Sequence, residues 1–192
     1  MDNILQSIIK KIKIGGIGII PTDTIYGIVA NALDPVVVEK VYDLKHRNTT
    51  KRFIVLIGSF ADLHLFNIEL KENTKKILNK LWPGPFSIDL PVSDKKFKYL
   101  TRDSDSLAFR FPKSKKLLEI LKETGPIIAP SANPEGDNPV VNLSEAKKYF
   151  PNLDFYINGG ILKNNPSTVV SIVGDKVKIW RQGKGVVPPE FL

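Results

Sequence analysis

Five short segments of this chain place small polar or cationic residues at the ends of apolar runs. They are Thr22-Asp23-Thr24-Ile25-Tyr26-Gly27, Lys45-His46-Arg47 with Lys51, Ser106 to Arg110, Ser131-Ala132-Asn133, and Ser167-Thr168 with Arg181. The sharpest is the last part of Gly125-Pro126-Ile127-Ile128-Ala129-Pro130-Ser131-Ala132-Asn133, where an apolar run stops at a turn carrying a hydroxyl and an amide. Ligands of open α/β sheets bind at the carboxyl ends of strands, and turned-out backbone N–H groups suit anionic oxygens. The set offers several cations and many hydroxyls but few candidate bases. Such an inventory suits holding a polyanion and stabilising charge rather than abstracting protons, which is what phosphoryl or nucleotidyl transfer requires.

The elements that must position these residues are legible as alternating periodicities. Asp2 to Lys13 carries a helical stripe closed by Gly15-Gly16, and Asp34-Pro35 caps a helix over Val36 to Lys45. Further helices are expected at Asn73–Leu81, Ser114–Thr124 and Ser144–Tyr149. Strands are expected at Ile17–Pro21, Tyr26–Ala30, Phe53–Ile57, Phe86–Leu90, Leu107–Phe111, Ile127–Ala129, Phe155–Ile157, Thr168–Val173 and Lys176–Trp180. Strands and helices interleave without strict βαβ regularity. The expected fold is therefore α/β: a twisted mixed sheet with flanking helices, in a single domain spanning residues 1–192.

Composition narrows the classes. With no cysteine in 192 residues, the chain has no disulfide framework, no thiolate nucleophile and no Cys-based zinc site. Met1 to Ile14 alternates charges with isoleucines and lacks an unbroken apolar core, so it reads as neither signal peptide nor membrane span, and a cytoplasmic location is the default. The net charge of +8 points to an anionic partner, nucleotide or RNA, although most lysines read as solvated surface. No GxxxxGK[ST] run occurs, and Gly15-Gly16-Ile17-Gly18 precedes a strand rather than following one, which excludes a P-loop there. His46 and His64 lack partners at metal spacing.

In order along the chain, Pro21-Thr22-Asp23-Thr24-Ile25-Tyr26-Gly27, Lys45-His46-Arg47 with Lys51, Trp82-Pro83-Gly84-Pro85-Phe86-Ser87, Arg110-Phe111-Pro112, Pro130-Ser131-Ala132-Asn133, Ser167-Thr168-Val169-Val170 and Arg181-Gln182-Gly183 resemble the motifs of the YrdC/TsaC-type threonylcarbamoyl-AMP synthases. Each motif alone is weak; the ordered set, from about residue 15 to 185, is specific. The resemblance implies a YrdC-like fold with a concave basic face. It also implies formation of threonylcarbamoyl-AMP and pyrophosphate from L-threonine, bicarbonate and ATP, for N6-threonylcarbamoyladenosine modification of tRNA. No covalent enzyme nucleophile is needed for that reaction, consistent with the missing cysteine and the absence of a Ser-His-Asp pattern.

Roles carried over with the resemblance are as follows. Lys45, Arg47 and Arg110 would be catalytic. Thr22, Thr24, Tyr26, Lys51, Arg110, Ala129 and Ser167 would seat threonine. Lys45, Arg47, Ser106, Ser131, Asn133, Asn138 and Arg181 would bind ATP. Mg²⁺ would accompany ATP, held chiefly by phosphates and water, with no protein-bound structural metal. Downstream threonylcarbamoyl-transferase proteins and tRNA or double-stranded RNA are the implied partners, and no membrane is involved. Ending at Leu192, the chain is expected to lack the extra carboxyl-terminal domain of two-domain members and so to release product readily.

Plainer readings exist for single residues. Lys45 could answer the carbonyl dipole at a helix end, Arg181 could decorate a turn, and Trp82 could be a packing anchor. Arg110, flanked by Phe109 and Phe111, is harder to read as a surface arginine. The sequence also departs from the family pattern. Asn48 replaces a proline, Lys51-Arg52-Phe53 replaces Lys-Pro-Leu, Pro134-Glu135-Gly136 replaces Leu-Ser-Gly, and Ser171 replaces an aspartate. Rival functions are a non-catalytic double-stranded RNA-binding module of this fold and a YciO-like paralogue. The intact Thr22/Arg110/Ser167 set argues against the first, and the intact Pro-Ser-Ala-Asn motif against the second.

Overall fold

The computed structural model describes residues 3–192. Its nine strands are β1 (Gly18–Pro21), β2 (Tyr26–Asn31), β3 (Val55–Leu56), β4 (Phe86–Pro91), β5 (Ser106–Arg110), β6 (Ile127–Ile128), β7 (Phe155–Tyr156), β8 (Thr168–Val173) and β9 (Lys176–Arg181). They form one mixed sheet in the order β7-β1-β2-β6-β3-β5-β4-β8-β9. The pairs β1/β7, β3/β5 and β4/β8 run parallel, and the remaining neighbours antiparallel. The helices are α1 (Asn3–Lys13), α2 (Pro35–Lys45), α3 (Glu72–Leu81), α4 (Lys98–Thr101), α5 (Lys115–Thr124) and α6 (Leu143–Tyr149). None of these is long and apolar enough to cross a membrane.

Local chemistry explains where the helices start and stop. Asp34 accepts from the N–H groups of Val36 and Val37 at 3.0 and 3.1 Å, capping α2, while Pro35 occupies the first turn. At the other end His46 takes a left-handed conformation (φ 47°) and closes the helix just after Lys45. Ser114 caps α5. The sixth helix starts earlier than its expected Ser144, because Asn142 is the cap and accepts from Glu145 N at 2.9 Å. The first helix ends at Gly15, whose φ of 86° suits glycine, with Gly16 N donating to Lys11 O at 2.8 Å. The expected start of that helix at Asp2 lies outside the described residues.

Four expected strands shorten: β1 begins at Gly18 rather than Ile17, β7 ends at Tyr156 rather than Ile157, and β3 and β6 shrink to two residues each. The ladder bonds of β3 and β6 cover only Val55–Leu56 and Ile127–Ile128, although Ile57 N still donates to Arg110 O and Ala129 N to Ile54 O, both at 3.0 Å. The 3₁₀ turns Phe60–Phe66, Lys95–Phe97 and Pro189–Phe191 and the four-residue α4 are not expected from periodicity, since each is too short to show one.

Sheet register decides where the site is. Val55, Phe109 and Ile128 are paired neighbours and point into the larger core. Leu56, Arg110 and Ile127 are the next row, on the opposite face. On that face Leu56 and Ile127 lie under α1 and α5, packed with Ile8, Ile12, Leu117 and Leu121, each of which gains roughly 2 kcal/mol by leaving water. Arg110 continues the same row where the apolar cover stops. β4 shows the same change: Ile88 and Leu90 join the larger core, whereas Ser87 and Asp89 face the other way. One face of the sheet is thus helix-covered over half its width and polar over the rest.

Candidate functional site

The polar half opens into a cavity of about 420 Å³. Thr22, Thr24, Lys45, Arg47, Lys51, Arg110, Ala129, Ser131, Asn133, Ser167 and Arg181 all line it, so residues up to 159 positions apart in sequence converge there.

Arg110 forms one wall. It is only 4% exposed, and its Nη2 pairs with the Asp23 carboxylate while Nη1 donates to Thr24 Oγ1 at 2.9 Å. Thr22 Oγ1 donates to Ile25 O at 2.7 Å, which uses its one proton. The 3.1 Å contact between the Thr22 and Thr24 hydroxyls therefore has Thr24 as donor, giving a directed chain from Arg110 through Thr24 and Thr22 to the backbone. The same Thr22 oxygen accepts from Thr24 N and Ile25 N, both at 3.2 Å, so the turn between β1 and β2 is wound around it. Burial lowers the Arg110 pKa and Asp23 opposes that shift. The Arg110 Nε is buried without a hydrogen-bond partner, as is Asn133 Oδ1.

Lys45 forms the opposite wall. Its ammonium donates to Ser131 O at 2.7 Å and to Asn133 O, tying the end of α2 to the turn after β6. Burial, then the Arg47 charge, lowers its pKa to about 8, against the attraction of Glu135. Arg47 donates from Nε to Lys51 O at 3.1 Å and lies 5.4 Å over the Phe53 ring, with its pKa lowered by burial. Arg181 donates from Nη2 to Ser167 O at 2.9 Å, and its pKa is lowered by burial and by Arg110 and Arg47. Ser167 Oγ lies 2.8 Å from Ser87 Oγ, both buried. Gly183 is required here, since a Cβ would fall 2.2 Å from Pro166 O and 2.6 Å from Ser167 O.

Three expected site residues are placed elsewhere. Tyr26 is fully buried; its hydroxyl donates to Gly160 O and accepts from Gly159 N, each at 2.8 Å, so it holds a loop. Ser106 is engaged by Asp89 (2.7 Å) and Arg52 (2.7 Å) and does not line the cavity. Asn138 lines an adjoining recess of about 500 Å³ that shares Gly136, Asp137 and Pro139 with the main cavity. Conversely, Arg52 and Glu135 line the cavity, and Asp23 and Ser87 hold the lining residues Arg110 and Ser167, without having been assigned to the site from sequence. Asp23 sits inside the first motif, and Glu135 and Arg52 are departures from later ones. What sequence lacks is the pairing that makes each one matter.

Comparison with known proteins gives the family and the fold. The family described as "Telomere recombination" (Sua5/YciO/YrdC) matches residues 10–183. A Pyrococcus abyssi protein named threonylcarbamoyl-AMP synthase is 32% identical over 151 residues, covering 78% of this chain but 44% of its own length. The crystal structure of P. abyssi Sua5 complexed with L-threonine superposes with a TM-score of 0.85 at 28% identity, over 93% of this chain and 54% of that one. The chain thus spans about half the length of these two relatives. Escherichia coli YciO has the same TM-score of 0.85 over 98% of this chain and 92% of its own, at 20% identity, which speaks for the fold alone. With its motifs matched from end to end and its sheet superposing on these structures, the chain belongs to the Sua5/YciO/YrdC family.

Proposed function

We propose that this chain is an L-threonylcarbamoyladenylate synthase, a nucleotidyltransferase that makes threonylcarbamoyl-AMP and pyrophosphate from L-threonine, bicarbonate and ATP. The observation that carries the reading is the Arg110 wall: a buried guanidinium, held in place by Asp23 and Thr24, lining a cavity ringed by Lys45, Arg47, Lys51 and Arg181. A planar fork is built for a carboxylate, and the ring of cations for phosphates.

The chemistry balances without a protein nucleophile. The threonine amine and bicarbonate give a carbamate and water. A carbamate oxygen then attacks the α-phosphorus of ATP, the bond to the β-phosphate oxygen breaks, and pyrophosphate leaves. Arg110 would hold the threonine carboxylate, with Thr22, Thr24, Lys51, Ala129 and Ser167 around the amino acid. Lys45, Arg47 and Arg181 would hold the phosphates and stabilise the charge that develops on the leaving group. Ser131, Asn133 and, from the adjoining recess, Asn138 would complete the nucleotide site, while Tyr26 and Ser106 would act from behind by holding loop 159–160 and Arg52. Magnesium would enter on the triphosphate. The carboxylates that line the cavity are those of Glu135 and Asp137, and Glu135 is engaged by Lys51, so phosphates and water would supply most ligands. The carbamate is labile in water, which a recessed site counters.

The product would feed a transferase that acts on adenosine in tRNA, in the cytoplasm. The similarity to the named synthase and to the threonine-complexed Sua5 supports this reading. Pyrophosphate release from ATP, measured with and without threonine plus bicarbonate and with serine as control, tests it. Release that requires both, and falls with serine, is expected; release indifferent to threonine would refute it.

A further inference from the structure

We propose that Glu135 is a positioning residue that holds Lys51 and the 48–51 turn at the mouth of the cavity, an inference that rests on the synthase reading above. One carboxylate grips both ends of a single turn: Glu135 accepts from the Lys51 ammonium through Oε1 and from Asn48 N at 2.8 Å through Oε2. The turn is closed internally as well. Lys51 N donates to Asn48 O at 3.0 Å, and Asn48 Oδ1 accepts from Thr50 N at 2.9 Å and Thr50 Oγ1 at 2.8 Å.

An exposed ion pair alone would be worth little, because a long lysine side chain loses entropy when it is held. Here the same carboxylate also takes a backbone N–H, so turn and ammonium are fixed together. Asn48, unlike a proline, supplies an N–H, and that N–H goes to Glu135. Arg52 anchors the far side of the same loop, pairing with Asp89 at 2.9 Å. Hydrogen bonds from Lys51 and Asn48 hold the Glu135 carboxyl below its ordinary pKa, so it is an anion at neutral pH.

The test is a mutant cycle read in steady-state kinetics and in hydrogen exchange. Glu135→Ala should raise KM for threonine about fivefold with kcat changed less than twofold, the scale of one lost pair that acts on binding. Glu135→Gln keeps an oxygen for Asn48 N and should recover part of the loss. In a Lys51→Ala background, Glu135→Ala should raise KM by less than half as much, since only the hold on Asn48 N is then left to lose. Amide exchange across residues 47–53 should quicken in Glu135→Ala. An unchanged KM in Glu135→Ala, or a full effect persisting without Lys51, would overturn the proposal. If the unmodified protein releases no pyrophosphate on adding threonine, the synthase reading fails, and the exchange result alone decides: unchanged exchange sinks the positioning role, and faster exchange sustains it.

Discussion

Lys45 and Ser131 are 86 residues apart in sequence, yet the Lys45 ammonium donates to the Ser131 carbonyl at 2.7 Å and to that of Asn133 beside it. A lysine at the end of a helix has become the link between that helix and the strand-end turn on the other side of the cavity. The charge proposed to hold phosphates is therefore also a part of the fold.

Sequence reasoning predicts that Lys45→Ala slows adenylation with little effect on folding. The structure reverses the second half of that expectation. Removing the ammonium takes the donor from the buried Asn133 carbonyl and the half-buried Ser131 carbonyl, which should cost about 1–3 kcal/mol of stability. Urea unfolding of Lys45→Ala checks this; a midpoint equal to that of the parent would contradict it.

The Lys45 pKa of about 8 sets two opposite pH trends. As pH rises through 8, the ammonium is lost and KM for ATP should rise; Lys45→Arg should move that inflection beyond the measured range. Stability runs the other way. Because the folded pKa lies below the ordinary 10.5, the unfolded chain binds more protons between those values, and this group's contribution rises with pH across that window. Comparing the unfolding free energies of parent and Lys45→Met at pH 7.5 and 10 isolates it.

Arg110→Lys retains a charge but not the fork that reaches Asp23 and Thr24 together. Threonine binding measured by calorimetry should weaken by about 10- to 100-fold, the scale of one or two charge-assisted hydrogen bonds. Binding within twofold of the parent would remove Arg110 from the amino-acid site.

Gly183→Ala places a methyl 2.2 Å from Pro166 O, so the 166–167 backbone must move and carry with it the Ser167 carbonyl that receives Arg181. A stability loss of about 1–3 kcal/mol with weakened ATP binding is expected. Thermal unfolding and nucleotide titration of the same sample read both.

Tyr26→Phe removes a donor to Gly160 O and an acceptor for Gly159 N from a fully buried hydroxyl. The expected signature is destabilisation by about 1–3 kcal/mol, with faster amide exchange around residues 158–162. Unchanged exchange there would show that the loop is held by other contacts.

The chain by itself determined the inventory and the scaffold. Capping residues Asp34 and Ser114, the glycine stop at Gly15 and the apolar periodicities locate most elements, because these are local effects of backbone geometry and of burying one face. The motif order identified the family and the residues that ring the cavity. Tertiary structure alone decided which of them meet. Register between β3, β5 and β6 put Arg110 in the row of Leu56 and Ile127 but beyond the cover of α1 and α5. The turn after β1 brought Asp23 and Thr24 onto it, and the turn after β6 brought Glu135 onto Lys51. Tyr26 and Ser106 were expected at the site as well, yet their hydroxyls are taken by Gly160 and Asp89. Hydrogen bonds and ion pairs are decided within a few ångströms, here between residues 17 to 134 positions apart, and that proximity exists only once the sheet has set its register.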